Sequence, residues 1–151
     1  MKQKRSLFLV FLLIGIFVTV QAQEKNGITF HKPPDPERQK APFSETVQVG
    51  NLFFLAGQIG MDRTKGALPE GGIQAETEQA IKNIQGVLQR HDLTLDHVVK
   101  CTVILKDISD FRAFNEIYVK YFTKKPARTT FAASGLAANA KIEIDVIAVK
   151  E

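Results

Sequence analysis

The stretch "KIEIDVIAVK", residues 141–150, decides how this chain is read. Ile142, Ile144, Val146 and Ala148 recur at every second position, the period of a strand with one face in a core. Glu143 and Asp145 fill alternate positions, yet the apolar Ile147 and Val149 follow on that same side. A carboxylate set into a strand that is apolar on both faces has two explanations. Either a cation meets it there, or it has chemistry to do.

The nearest candidate cation is Arg128, in "PARTTF" (126–131), where a second strand over 127–133 is expected. Consecutive strands often pair, so Arg128 and Glu143 are expected to meet on one face of the sheet. The bland reading is a buried ion pair, a poor source of stability because desolvation costs several kcal/mol per ion. The functional reading gives the planar Arg128 fork to a ligand carboxylate. Glu143 then holds a water or moves a proton.

Further upstream, the pattern alternates between the two periods. Residues 98–105 read as a strand. A helix over about 109–122 follows, with Phe111, Phe114, Ile117, Tyr118, Tyr121 and Phe122 as its apolar stripe and Ser109 as N-cap. An earlier helix spans 73–90, with Glu76 and Glu78 near its start to suit the macrodipole. "SETVQVGNLFFLAGQI" (44–59) reads as a hairpin turning at Gly50-Asn51, with Leu52 to Leu55 as the returning strand. Residues 60–72 are a glycine-rich loop. "GITF" (27–30) suits a short strand, and the proline-rich "HKPPDPERQKAP" (31–42) reads as an extended arm. The order is β-β-β-α-β-α-β-β. Two helices cover one face of a sheet, whereas the strands at 52–55, 98–105 and 142–149 are apolar on both. A partner subunit is the economical cover for the second face.

The first 22 residues read as a secretory signal peptide. Lys2, Lys4 and Arg5 precede an apolar run from Leu7 to Val20, and cleavage is expected between Ala22 and Gln23. The run is short for a membrane span, though an uncleaved anchor stays open. After cleavage no stable membrane anchor is expected, and the location would be the periplasm. The expected organisation is signal peptide 1–22, arm 23–42 and one domain over 43–151. The net charge of +4 includes the three basic residues of the leader; without them 17 basic side chains face 16 acidic ones. That balance leaves no electrostatic footprint for nucleic acid. Cys101, the only cysteine, reads as a small buried hydrophobe. His31, His91 and His97 lack metal-ligand spacing and read as surface residues. Neither a phosphate-cradling glycine loop nor a Gly-x-Ser-x-Gly elbow is present.

"GNLFFLAGQIGMD", "VVKCTVILKDISDFRAFNEIYVKYF", "PARTTF" and "KIEIDVIAV" together resemble the RidA family, also called YjgF or L-PSP. The resemblance runs from about residue 41 to 150. It implies a chorismate-mutase-like α+β domain, with a mixed sheet, two helices on one face, and three copies assembled into a barrel with clefts between subunits. It implies cofactor-free hydrolysis of reactive enamines and imines, such as 2-aminoacrylate, to 2-oxo acids and ammonia. By the same resemblance Arg128 binds the substrate carboxylate, Glu143 handles water, and Gly57 and Asn115 line the cleft. Three positions depart from the family pattern. Phe43 stands for a tyrosine, Ala56 for a serine and Thr130 for a frequent cysteine, so two cleft hydroxyls are lost at Phe43 and Ala56. Those losses keep an alternative open: a trimeric protein that binds small carboxylates without turning them over. Ribonuclease action, carried in some family names, sits poorly with a near-neutral mature chain.

Overall fold

The computed structural model describes residues 27–151. The expected signal peptide and cleavage site lie outside the described residues.

Six strands form one mixed sheet: β1 (Ile28–His31), β2 (Thr46–Val49), β3 (Leu52–Ile59), β4 (Val98–Leu105), β5 (Ala127–Ala132) and β6 (Ile142–Val149). Two helices, α1 (Gly72–Gln89) and α2 (Phe111–Tyr121), follow β3 and β4. The spatial order of strands is β1-β2-β3-β6-β4-β5. Every pairing is antiparallel except β4 with β5, which α2 connects as a parallel crossover. Because β1 lies before residue 43 and pairs with β2 through four residues, the sheet reaches back into the expected arm. Residues 31–42 also fold back instead of extending. Pro33 is buried, Arg38–Lys40 make a short 3-10 turn, and the Glu45 amide donates to the His31 carbonyl at 3.0 Å.

Both helices pack on one face, as expected. Ile81, Ile84, Val87 and Leu88 of α1, with Phe114 of α2, close over Cys101, Val103, Ile142, Ile144 and Val146 of the sheet. All are essentially inaccessible to water, and each buried aliphatic side chain contributes roughly 1.5–3 kcal/mol. Among the described residues the other face has no cover. Its register lines up Phe30, Val47, Phe54 and Ile147 in one row, and Ile28, Val49, Leu52 and Val149 in the next. Phe30 stays 67% exposed and Phe54 40%.

Several local expectations change. Ser109 does not cap α2. Asp107 accepts from the Ser109 amide at 2.8 Å and opens a 3-10 turn (Ile108–Asp110) that leads into the helix. Asp fits because its short carboxylate reaches an amide two residues on. Glu76 does more than complement a helix dipole. It is buried, and its carboxylate accepts the Lys141 amide at 2.7 Å, tying the start of α1 to the start of β6. Gly60, just past β3, lets the chain approach the same residue closely, since a Cβ there would sit 2.6 Å from the Glu76 carbonyl oxygen. The strand from Leu52 runs on to Ile59 through a bulge. Leu55 pairs with Val146 and Gln58 with Ile144, so Ala56 and Gly57 together face Asp145. The histidines are partly buried, and His31 packs edge-on to His91 at 4.6 Å between ring centres.

Candidate active site: two half-sites on opposite faces of the sheet

The seven residues singled out from the sequence fall into two groups. Arg128 stands level with Cys101 of β4, and Cys101 stands level with Val146 of β6. Residues in register point to the same face, so Arg128 lies on the helix side. Glu143 stands level with Ile104 and belongs to the alternate set, so it lies on the open side. The expectation that β5 and β6 are neighbours, with Arg128 and Glu143 meeting on one face, therefore fails. The α2 crossover places β5 beside β4, and β6 inserts between β4 and β3. The backbones of Arg128 and Glu143 are two strand spacings apart, roughly 10 Å, and three residues out of level, roughly another 10 Å. They share no crevice within one chain.

The first half-site is a cationic cradle. The Arg128 guanidinium lies over three rings of α2, at 4.5 Å from the centre of Tyr118, 5.1 Å from Phe114 and 5.7 Å from Phe111. Its Nη1 donates to Asn115 Oδ1 at 2.9 Å. Stacking and one hydrogen bond fix the plane of the fork while no carboxylate among the described residues pairs with it. Arg128 and Asn115 open into a cavity of about 630 Å³ whose wall also includes Tyr118 and Lys125. Thr130, two residues along on the same face, keeps a buried hydroxyl with no protein partner. The Tyr118 hydroxyl is also buried. It faces Cys101 and Arg128 without meeting hydrogen-bond geometry to either. Burial pushes the Cys101 thiol up to about 11, so it stays protonated and inert, as its apolar setting suggested.

The second half-site is built on the β3 bulge. Phe43, Ala56 and Gly57 line a cavity of about 340 Å³. Glu143 packs directly against Gly57. A Cβ on that residue would lie 2.8 Å from the Glu143 carboxyl carbon and closer still to Oε1. Only glycine leaves room for the carboxylate. Burial pushes the Glu143 pKa up, and the charge of Asp145 on the same face adds to the shift. No ion pair or hydrogen bond to a described residue engages this carboxylate, so it is free to accept a proton. Among the described residues no group of three metal-ligating side chains comes together.

Two features were missed from the sequence. Tyr118 was counted only as part of an apolar stripe, although its ring and hydroxyl both address Arg128. A buried carboxylate, Glu45, also escaped notice, with Arg38, Arg63 and Arg90 gathered on it. The signal existed: Glu45 heads an apolar strand in "SETVQV", much as Glu143 does in "KIEIDV".

This is a single α+β domain with a mixed six-stranded sheet, two helices on one face and a polar site divided between the faces. The chain belongs to the endoribonuclease L-PSP family, the RidA/YjgF family that its motifs resemble; the family's model matches residues 35–150. It is similar to the human 2-iminobutanoate/2-iminopropanoate deaminase, 40% identical over 110 residues that cover 72% of this chain and 80% of that one. It is 36% identical over 135 residues to the chloroplastic Reactive Intermediate Deaminase A of Arabidopsis thaliana, covering 89% of this chain and 71% of the relative. The crystal structure of the Escherichia coli YjgF gene product superposes with a TM-score of 0.71 at 30% identity, over 82% of this chain and 96% of that one.

Proposed function

We propose that this chain hydrolyses 2-imino acids and their enamine tautomers to 2-oxo acids and ammonia, without a cofactor, in a site completed between the subunits of a homotrimer. The observation that carries the reading is the separation of two uncommitted groups. The Arg128 guanidinium and the Glu143 carboxylate lie on opposite faces of one sheet; Arg128 lines one cavity, and Glu143 packs against Gly57, which lines the other. A second chain laid on the open face supplies what each lacks, and covers the apolar rows of Phe30 and Ile28. Arg128, Asn115 and Thr130 of one chain then face Phe43, Ala56, Gly57 and Glu143 of the next. The names of the human and plant relatives support the imine chemistry.

The Arg128 fork binds the substrate carboxylate through two parallel hydrogen bonds. A water on Glu143 attacks the imine carbon. Glu143 takes a proton from that water and passes it to the imine nitrogen, giving a carbinolamine. It then takes the hydroxyl proton as the C–N bond breaks and returns it to the departing amine, leaving a C=O and ammonia. The raised pKa of Glu143 suits a base working nearer neutrality than an ordinary carboxylate. Positioning supplies much of the acceleration, since the imine is already electrophilic.

The absence of hydroxyls at Phe43 and Ala56 favours a second reading, in which the cleft binds a carboxylate and performs no hydrolysis. A coupled assay decides between them: an amino-acid oxidase generates the imine, and its decay is followed with and without this protein. Acceleration is expected. Arg128→Ala and Glu143→Gln should each lose at least ~100-fold in kcat/KM. Mixed and reassembled one to one, the two inactive variants should recover about a quarter of wild-type activity, because a quarter of random neighbour pairs unite an intact arginine with an intact glutamate. A mixture that assembles yet stays inactive rejects a site shared between chains.

A further inference from the structure

Glu45 sits at the head of β2, is 3% exposed, and attracts more positive charge than it can balance. Arg38 reaches its Oε1 at 3.0 Å, Arg63 approaches the same oxygen at 3.5 Å, and Arg90 binds Oε2. One cation offsets a buried carboxylate; three leave a surplus. Asp35, on the same rim, returns one negative charge, but its carboxylate is held by the Glu37 amide at 3.0 Å. At least one positive charge therefore remains unmatched. Arg90 is further occupied by the Gly86 carbonyl at 2.8 Å, and Arg63 by Gln58. The Arg38 guanidinium is ion-paired to Glu45 and meets hydrogen-bond geometry to no side chain or carbonyl among the described residues. The three guanidinium groups come from the arm, the loop after β3 and the end of α1, and each is about one-third exposed. Burial and the charge of Arg38 both push the Arg63 pKa down, a sign of crowded like charges that a bound anion would relieve.

The location gives this surplus a use. Arg38 and Arg63 line the same 340 Å³ cavity as Phe43, Ala56 and Gly57, and Glu143 packs against Gly57. An anion between the two arginines therefore lies in the cavity that Gly57 lines, and Gly57 is the residue against which the Glu143 carboxylate packs. A small monocarboxylic imine, gripped at its carboxylate by Arg128, has nothing to place there.

We infer that this cavity is a subsite for a second acid group, and that the preferred substrates are imines of acidic amino acids, whose distal carboxylate docks on Arg38 and Arg63. The inference rests on the deaminase reading and names its substrate class. The competing role for the cluster is a staple that fastens the arm to the core.

Two measurements on the full chain test it. The first compares kcat/KM for imines made by oxidases from aspartate and glutamate with those from alanine and leucine. The acidic imines are expected to be favoured, and the ratio should fall at least roughly ten-fold in Arg38→Gln and in Arg63→Gln, through KM more than kcat, with partial retention in Arg38→Lys. A ratio that does not change in correctly assembled variants assigns the cluster to the staple role and overturns the inference. The second needs neither turnover nor a variant. Succinate should raise the unfolding temperature of the wild-type protein well above the effect of equimolar butanoate. Equal effects overturn the anion subsite. Selective stabilisation by succinate with no imine turned over would instead reject the deaminase reading and leave the subsite standing.

Discussion

The two faces of this sheet are made from the same side chains and meet different fates. On β6, Ile144 points into the helix layer and is fully buried, while Ile147, three residues on, points to the uncovered side. Leucine, isoleucine, valine and phenylalanine dominate both surfaces. One set stabilises the single chain; the other is positioned to stabilise an assembly. The polar residues follow the same division. Arg128 enters the helix side, where aromatic rings of α2 orient it, and Glu143 enters the open side, where only a glycine bulge accommodates it. On the proposed reading, a second copy of the chain is what reunites the two groups.

Substitution on either side tests that contrast. Ile144→Ala should cost ~2–5 kcal/mol in chemical denaturation, because the rigid helix layer cannot refill the void. Ile147→Ala should cost little of that, and should instead make the assembly fall apart at a higher protein concentration, as read by analytical ultracentrifugation. Equal losses of chain stability at the two positions would erase the distinction between the faces. Next in size is Gly57→Ala, whose added methyl must displace the Glu143 carboxylate. About 100-fold loss of activity is expected with unchanged assembly, since small misplacements of a reacting group carry such losses. Undiminished turnover in that variant would remove Glu143 from the reaction. The smallest effect concerns pH. Glu143 must be ionised to accept a proton, and burial and then Asp145 raise its pKa. The acid limb of the kcat/KM profile should therefore lie above the ordinary carboxylate range. Asp145→Asn removes a negative neighbour, eases ionisation, and should move the limb to lower pH; a limb that stays in place would show that another group controls it.

The sequence carried the elements well and their arrangement less well. Strands and helices announce themselves by local periods, and six strands and two helices stand near their expected positions. The open apolar face was legible for the same reason: Ile147 and Val149 break the polar set that a solvated face would show. Strand order is not a local property. Nothing in "PARTTF" or "KIEIDV" states that β4 lies between them, so the two charges were drawn onto one face. The alternation that identified both strands also fixes that they diverge, once the neighbour is known. Asn115 was placed in the cleft by the resemblance alone, and its hydrogen bond with Arg128, thirteen residues on, was not foreseen from the spacing. The Glu45 cluster draws its arginines from an arm, a loop and a helix end, three segments that no short pattern links.

The extra residue at Ala56-Gly57 has a consequence for how such a protein can change. Because two positions of β3 oppose one of β6, deleting either would leave Leu55 and Gln58 on their present sides and restore a plain ladder. The architecture would survive the loss of a codon there, but the perch beneath the acidic group would not. On the proposed role of Glu143, a single deleted codon would separate keeping the sheet from keeping the activity.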